Sequence, residues 1–191
     1  MRINLKFVIS MPAIQLCGCA FAQVSPTEQL SMNLPGDFVL GADLGRNGNT
    51  LKEFVKSGQS VQNWSDMITV QILQGATITS AQFLQGVGGK IVGACPGTVS
   101  KHNLINGTTN GYAVSMLDLW CPTNPQTNKP ESILFRVIKG DGRLYAVQYA
   151  WRSIPSGEQF DAAVDFLRNV TVCDMQNAQH SCPVAVIKPS T

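Results

Sequence analysis

The sequence predicts an α+β domain, in which an antiparallel β-sheet built of hairpins carries two packed helices. Consecutive strand patterns joined by tight-turn signals fill the segment 99–152. One helical pattern precedes this segment and a second follows it. Helices that are separated from a run of hairpins are typical of the α+β class, whereas a parallel sheet would need alternating strands and helices. Residues 23–191 have the length of a single domain.

The first part of this domain is expected to be mostly extended. Residues 23–33 are polar and are predicted to form a loose lead-in. Short strands are predicted over 38–40 and 51–56, and the Gly-, Asn- and Asp-rich residues 41–50 between them indicate a turn. Over 67–73 apolar and polar residues alternate, which is typical of a half-buried strand.

A first helix is expected to begin after Thr79, because Thr79 and Gln82 have the spacing of a capping box. Gly86, Gly88 and Gly89 each cost about 1 kcal/mol relative to alanine in a helix. This helix is therefore expected to be short or bent. Its apolar side consists of Phe83, Leu84, Val87 and Ile91.

A first hairpin is predicted at Asn106-Gly107, a dipeptide that favours two-residue turns because both residues tolerate positive φ angles. This turn is expected to join strands over 99–105 and 111–121. The second of these strands carries Asp118, the one acid within its apolar run. Since side chains alternate between the two faces of a strand, Asp118 is expected to point outward.

A second hairpin is predicted around the Gly-Asp-Gly turn at 140–142, between strands over 132–139 and 143–152. Large apolar side chains recur at every second position of the latter strand. This period places them on one face, which is typical of a core. They are Tyr145, Val147, Tyr149 and Trp151.

The clearest helix is predicted after Ser156, which has capping-box spacing to Gln159. Charged residues occupy one side of this helix and an apolar stripe the other, so the stripe is expected to dock on the sheet. Residues 170–172 are expected to form a closing strand. The stripe consists of Phe160, Ala163, Val164 and Leu167.

The order of these elements resembles that of the small PsbP-like α+β domains found in exported proteins. The resemblance lies in the meander of strands, the strand ending in aromatics, the amphipathic helix and the short final strand. It is carried by Ile133-Leu134-Phe135, Tyr149-Ala150-Trp151, Phe160 and Val170-Thr171-Val172. The segment 63–71 is also similar to a stretch of small uncharacterised secreted bacterial proteins. The resemblance implies binding or assembly rather than catalysis, and it assigns no functional residue because the cysteines depart from the pattern.

Residues 1–22 have the features of a bacterial-type secretory signal peptide. Two basic residues precede an apolar run over 7–19, and Ala20-Phe21-Ala22 forms a cleavage triplet before Gln23. The run is shorter than the roughly 20 residues that cross a bilayer as a helix. We therefore expect a mature chain that begins at Gln23, has no transmembrane segment, and is periplasmic or secreted.

The same segment allows a second interpretation. Leu16-Cys17-Gly18-Cys19 loosely resembles a bacterial lipobox, in which Cys19 would be acylated and become the first residue. However, Cys17 stands where that motif usually has a small residue such as alanine or serine. Cleavage after Ala22 is therefore favoured over a lipid anchor.

The charge of the mature chain argues against a nucleic-acid partner. The full sequence has 14 Lys and Arg residues and 12 Asp and Glu residues. Arg2 and Lys6 lie in the signal segment, which leaves 12 residues of each sign. Nucleic-acid-binding proteins carry a basic patch or stripe, and no cluster of lysine or arginine occurs in this sequence.

Four cysteines follow the signal segment, and an even number in an oxidising compartment predicts two disulfides with three possible pairings. We expect neighbours to pair, because one pair closes a short terminal loop and the other flanks a predicted hairpin. No C-x-x-C spacing occurs, and the histidines stand apart from any ligand pattern, so no metal or other cofactor is expected. The expected bridges are Cys95–Cys121 and Cys173–Cys182.

No common catalytic pattern is present, so no catalytic residue is assigned. The G-x-S-x-G motif is absent, and His102 and His180 occur in loop or edge contexts, where solvated roles are expected. Trp64 lies in a polar stretch and is a candidate recognition residue, or alternatively a loop residue anchored in the core. An unrecognised hydrolase site around Asp118 and His102 is the alternative to a binding role.

We therefore expect a non-catalytic binding or assembly protein outside the cytoplasm. Its partner would be an envelope or extracellular protein, or a small ligand. Three alternatives stay open: a hydrolase with an unrecognised site, a lipid-anchored envelope protein, and a structural subunit of the outer surface.

Overall fold

A seven-stranded antiparallel sheet is the centre of the fold in the computed structural model, which describes residues 27–100 and 102–182. Within these residues the strands are β1 (Glu28–Ser31), β2 (Phe38–Arg46), β3 (Asn49–Lys56), β4 (Asp66–Gln74), β5 (Ile105–Thr109), β6 (Tyr112–Asn124), β7 (Lys129–Lys139), β8 (Arg143–Trp151) and β9 (Thr171–Asp174). The helices are α1 (Ser80–Ala94) and α2 (Gly157–Arg168), and Ala178–His180 forms a 3-10 turn. The main sheet has the order β2-β3-β4-β8-β7-β6-β5, and β1 pairs with β9 in a separate two-stranded sheet.

The two helices cover opposite faces of the main sheet. Ile133 and Leu134 are successive residues of β7, and successive side chains of a strand point to opposite faces. Ile133 belongs to a core cluster with Leu84 of α1, whereas Leu134 belongs to a cluster with Ala163 and Leu167 of α2. The α+β class predicted from the sequence is therefore confirmed, with one hydrophobic core on each side of the sheet.

Both helices begin with the capping boxes that the sequence predicts. The Thr79 hydroxyl accepts a hydrogen bond from the backbone N–H of Gln82, and the Gln82 side chain accepts one from the backbone N–H of Thr79. Ser156 and Gln159 repeat this exchange at α2. The first alternative of the expectation that α1 is short or bent is wrong, since α1 extends over 15 residues. A Cβ at Gly88 would lie 3.3 Å from Leu117, so this glycine allows the helix to approach the sheet closely.

The turn between β5 and β6 lies at Asn110-Gly111, so the hairpin predicted at Asn106-Gly107 is wrong. Asn110 and Gly111 have φ angles of 48° and 81°, as a type I′ turn requires. A hairpin closing at Asn106-Gly107 would place Gly111 inside a strand. Asn106 lies instead in β5, where its side-chain oxygen accepts a hydrogen bond from Ser115 at 2.7 Å.

The strands of the β2–β3 hairpin are also longer than the sequence predicts. The turn between β2 and β3 is confined to Asn47-Gly48, with φ angles of 53° and 78°, instead of extending over 41–50. A break in register between Leu40 and Ala42 marks a bulge, and Gly41 lies at this point. The predicted Gly-Asp-Gly hairpin between β7 and β8 is confirmed.

The lead-in predicted over 23–33 contains an ordered strand, which corrects that expectation. Residues Glu28–Ser31 form β1 and pair antiparallel with β9, where Glu28 lies opposite Asp174. The partner strand is at the other end of the domain. No local pattern therefore identifies β1, because a strand four residues long carries little periodicity of its own.

The segment from which export is predicted lies outside the described residues. This applies to the predicted signal peptide, to the cleavage site before Gln23 and to the alternative lipid anchor at Cys19. Among the residues that are described, no helix combines the length and the apolar character needed to cross a bilayer.

Candidate binding groove

The buried carboxylate of Asp118 accepts hydrogen bonds from the loop that precedes β5. Asp118 of β6 is only 8% exposed. Its Oδ1 accepts hydrogen bonds from the backbone N–H of His102 at 3.0 Å and from the Ser100 hydroxyl at 3.1 Å. Its Oδ2 lies 3.3 Å from Nδ1 of His102. Backbone hydrogen bonds between Val99 and Trp120 hold this loop beside β6. Because Asp118 is bonded to the loop and buried, the expectation that it points outward is wrong.

This arrangement differs from a catalytic triad. The Ser100 hydroxyl is directed toward Asp118 and the carbonyl oxygen of His102. In the neutral ring, an Nδ1–H that faces Asp118 leaves Nε2 as the acceptor. Ser100 is therefore bonded to the acid rather than to the base that would have to activate it. The His102–Asp118 pair retains the capacity to accept a proton from a water molecule at Nε2.

A groove of about 520 Å³ lies between α2 and the sheet, beside this pair. The His102 ring stacks on Phe160 of α2, with 6.1 Å between the ring centroids. Apolar side chains form much of the lining, and Ile105 at the rim is 58% exposed. We call this feature the α2 groove. It is defined by His102, Ile105, Met116, Leu134, Phe160 and Val164.

Acidic groups predominate among the charges that the described residues bring to the α2 groove. Among the described residues, the groove is lined by three carboxylates, those of Asp118, Asp161 and Asp165, and by one guanidinium, that of Arg168. Arg168 and Asp165 are both exposed, with 3.9 Å between their charged atoms. A pair of this kind contributes little to stability. The lining is therefore suited to a ligand that is neutral or positively charged.

A smaller pocket of about 120 Å³ adjoins the α2 groove and shares Asp118 and Phe160 with it. Trp120 and Trp151 lie opposite Ser132 in register, one on each side. Trp151 is 2% exposed. Neither indole Nε1–H has a hydrogen-bond partner within the described part of the chain. We call this feature the indole pocket. It is defined by Trp120, Ser132, Trp151, Ile154, Pro155 and Phe160.

Trp64 lies away from both features. Its ring is half-buried and packs against the core on the α1 side of the sheet. The guanidinium of Arg152 lies 4.3 Å from the centre of the ring, a cation–π contact. These contacts anchor the loop before β4. A recognition role for Trp64 stays a prediction.

The structure pairs the four cysteines as neighbours, as the sequence predicts. The bridge Cys95–Cys121 links the end of α1 to β6, and Cys173–Cys182 closes a loop after β9. His180 lies in this second loop and stacks on Tyr112 at 4.1 Å. His180 therefore lies apart from the group formed by Ser100, His102 and Asp118. In the parts of the chain that are described, no group of three or more His, Cys, Asp or Glu side chains is placed to hold a metal ion.

Arg136 is a buried charge that no sequence motif indicates. Its Nε donates a hydrogen bond to the carbonyl oxygen of Val170 at 2.9 Å, which ties β7 to the chain leaving α2. Burial lowers the pKa of its guanidinium. The available signal was an arginine in the middle of the apolar run of β7. Sequence patterns also do not indicate that the groove and the adjoining pocket are lined by Ile105, Trp120 and Ile154. Their place in the lining depends on exposure and on neighbours distant in sequence.

Comparison with known proteins supports the fold. Neither a protein-family model nor a curated protein sequence matches this chain. The structure is similar to that of the Ran-binding protein Mog1p of Saccharomyces cerevisiae, with a TM-score of 0.52 at 9% identity, over 76% of this chain and 91% of Mog1p. LpqN, involved in cell envelope biogenesis of Mycobacterium tuberculosis, gives a TM-score of 0.44 at 14% identity, over 78% of this chain and 87% of LpqN. The likeness to Mog1p shows a shared small α+β fold and nothing more specific.

Proposed function

We propose that the protein is exported to the periplasm or the extracellular medium and acts there as a non-catalytic binding or assembly protein. The signal-peptide pattern and the two disulfides support export, because disulfides persist in oxidising compartments. The PsbP-like order of elements supports a binding role. The partner would occupy the α2 groove.

The observation that carries this proposal is the composition of the α2 groove. Ligand sites are concave, mostly apolar and equipped with a few convergent polar groups. Here Met116 and Leu134 line the groove together with His102, the exposed Asp161 and Asp165, and the buried Asp118. Ile105 and Ile154 are 58% and 63% exposed and border the groove and the adjoining pocket. Exposed apolar residues around a concave surface are typical of an interaction site.

A binding comparison between two matched variants tests the proposal. Ile105→Asp places a charge at the rim of the α2 groove, whereas Val92→Asp places one on α1, where Val92 is 51% exposed. The immobilised oxidised protein would be used to capture partners from the envelope of the native cells. We expect Ile105→Asp to lose the specific partner and Val92→Asp to retain it. Retention by both variants would contradict a role for the groove.

A hydrolase is the second candidate, and the proximity of His102 to Asp118 within the groove favours it. An imidazole oriented by a carboxylate is able to act as a general base toward water. The test is turnover of p-nitrophenyl esters by the wild type and by His102→Gln. Because His102 is exposed, this substitution is expected to leave the fold intact. Turnover that disappears in His102→Gln would favour the hydrolase over the binding protein.

A further inference from the structure

The outer edge of β2 is unpaired within the described part of the chain. β2 is the terminal strand of the main sheet, and no described strand lies beyond it. A bulge at Gly41 and the turn at Asn47-Gly48 bound a regular stretch over 42–46, which we call the β2 edge. Leu44 is at the centre of this stretch and is 61% exposed. An edge strand presents backbone N–H and C=O groups with which a further strand can pair.

The hairpin geometry determines which backbone groups of the β2 edge point outward. Arg46 and Asn49 flank the two-residue turn and therefore hydrogen-bond to each other. Bonded and non-bonded pairs alternate from there along antiparallel strands, so the backbone of Leu44 also bonds to β3. Asp43 and Gly45 instead direct their N–H and C=O groups away from β3. A further strand would bond to these two residues.

We propose that the β2 edge pairs antiparallel with the β2 edge of a second copy of this chain, about a two-fold axis at Leu44. Asp43 of each copy then exchanges backbone hydrogen bonds with Gly45 of the other. This register uses the whole stretch between the bulge and the turn. A register centred on Asp43 would place two carboxylates directly opposite each other, which is unfavourable. The inference goes beyond the proposed function, because the β2 edge is separate from the α2 groove.

An apolar patch reaches the β2 edge on the α1 side of the sheet. Leu44 lies opposite Leu51 of β3, and both line a shallow groove of about 370 Å³ together with Leu73 of β4. Leu73 packs against the core beneath α1. The helix itself packs mainly on β6 and β7, so it leaves this patch uncovered. In the proposed pair, Leu44 of one copy contacts Leu44 of the other and joins the two patches.

Charge complementarity favours a second copy over an unrelated strand. In this register Arg46 lies opposite Ala42 of the second copy, and Ala42 lies opposite Glu53 within its own hairpin. The three side chains share one face, because paired residues and every second residue of a strand point the same way. Arg46 and Glu53 of the second copy are then about 10 Å apart at their Cα atoms, which is two strand spacings.

The long side chains of Arg46 and Glu53 can bridge this distance across the small Ala42. Among the described residues neither of the two has an ion-pair partner within its own chain. The two-fold axis forms their ion pair twice. On the opposite face, the carboxylate of Asp43 is 3.2 Å from Nζ of Lys52. Asp43 lies opposite Gly45 of the second copy, so no charge stands directly across from it.

Sedimentation equilibrium of the oxidised mature protein at concentrations up to about 1 mM tests this pairing. We expect a reversible monomer–dimer equilibrium. Leu44→Asp should weaken it about tenfold or more, because two carboxylates would meet at the axis. Val92→Asp is the matched control, since Val92 is 51% exposed on α1, and should dimerise as the wild type does. Circular dichroism verifies that both variants fold.

An exchange of charges separates two-fold pairing from a loss of folding. Arg46→Glu and Glu53→Arg should each weaken self-association about threefold or more, because each brings like charges together. An equimolar mixture of these two variants should form a heterodimer, since both contacts then join opposite charges. The double variant Arg46→Glu/Glu53→Arg should dimerise as the wild type does.

Cross-linking tests the register. In a non-hydrogen-bonded pair the Cα atoms are about 4.5 Å apart, which is within the range that a disulfide spans. Mild oxidation should therefore link two copies of Leu44→Cys. Two copies of Ala42→Cys should stay unlinked, because their Cα atoms would be about 13 Å apart along the strands.

Any of four results would overturn the inference. They are a protein that stays monomeric at about 1 mM, a dimer that Leu44→Asp leaves unchanged, a mixture of the two charge variants that stays monomeric, and cross-linking of Ala42→Cys in place of Leu44→Cys. The proposed binding function would survive each of them, because its test is partner capture by Ile105→Asp.

Discussion

The carboxylate of Glu28 accepts a hydrogen bond from the backbone N–H of Asp141, at 2.9 Å. Glu28 belongs to β1 and is 2% exposed, whereas Asp141 lies in the turn between β7 and β8. The hydroxyl of Tyr145 lies 3.3 Å from the second carboxylate oxygen. Buried polar groups in folded proteins are almost always hydrogen-bonded, and the buried Glu28 obtains its hydrogen bonds from the main sheet. The contact therefore attaches the small sheet of β1 and β9 to one end of the main sheet.

Gly140→Ala should be destabilising because of this contact. A Cβ at Gly140 would overlap the carboxylate of Glu28. Displacing that carboxylate disturbs its buried hydrogen bonds, so we expect the free energy of unfolding to fall by about 1–3 kcal/mol in urea melts. The control is Gly89→Ala in α1, where nothing lies within 4 Å of an added Cβ. That change should raise stability by about 0.5–1 kcal/mol. Similar effects of both changes would contradict the role of Glu28.

Alkaline pH should destabilise the fold through its buried phenols. Burial, assisted by the charge of Glu28, raises the pKa of Tyr145 from the ordinary 10.0 to about 12. Burial also raises the pKa of Tyr112 and Tyr149. The unfolded chain therefore loses these protons before the folded chain does, and stability present below pH 10.0 is lost as the pH approaches 12.

Urea melts across this pH range measure the decline. Tyr145→Phe removes one of the titrating phenols, so its stability should depend less steeply on pH than that of the wild type. If the two proteins declined in parallel, the phenol of Tyr145 would titrate alike in the folded and unfolded states.

Local chemistry explains which elements the sequence predicts well. The capping residues Thr79 and Ser156 each act within three residues of chain, and the Gly-Asp-Gly turn fixes its own hairpin. The hairpin before β6 is mispredicted because two Asn-Gly pairs stand four residues apart. Their local signals are equal, and the choice between them depends on the pairing of β6 with β7.

The candidate site is harder to predict, because it depends on contacts between distant residues. The pairing of Val99 with Trp120 brings His102 to Asp118, 16 residues away. Periodicity alone places Asp118 on one face of β6 but does not reveal the loop that covers that face. The indole pocket likewise requires that β6 and β8 flank β7, and this strand order is a property of the folded sheet.

Removal of the disulfides should destabilise the protein to different degrees. The bridge Cys95–Cys121 has a sequence separation of 26 and Cys173–Cys182 one of 9. The chain-entropy model gives contributions of about 3.5 and about 2.6 kcal/mol for loops of these lengths. Replacing each pair with alanine and comparing urea melts measures both contributions. A larger loss on removing Cys173–Cys182 would show that effects in the native state outweigh loop entropy.

Export should yield a mature chain that begins at Gln23. The A-x-A triplet before Gln23 is the predicted cleavage site. Intact-mass measurement of the protein recovered from outside the cytoplasm tests this. A diacylglyceryl-modified species that begins at Cys19 would instead identify a lipid-anchored protein, and an unprocessed mass would refute export through a cleaved signal.

The last prediction concerns the two sides of α2. Leu167 is fully buried in the core beneath α2, whereas Asp165 is exposed at the rim of the α2 groove. Truncation of a buried leucine leaves a cavity, so Leu167→Ala should lower the free energy of unfolding by about 2–5 kcal/mol. Asp165→Ala loses only a long surface ion pair and should change stability by less than about 0.5 kcal/mol. Urea melts compare the two variants directly. A neutral Leu167→Ala would contradict the assignment of the Leu167 side of α2 to the core.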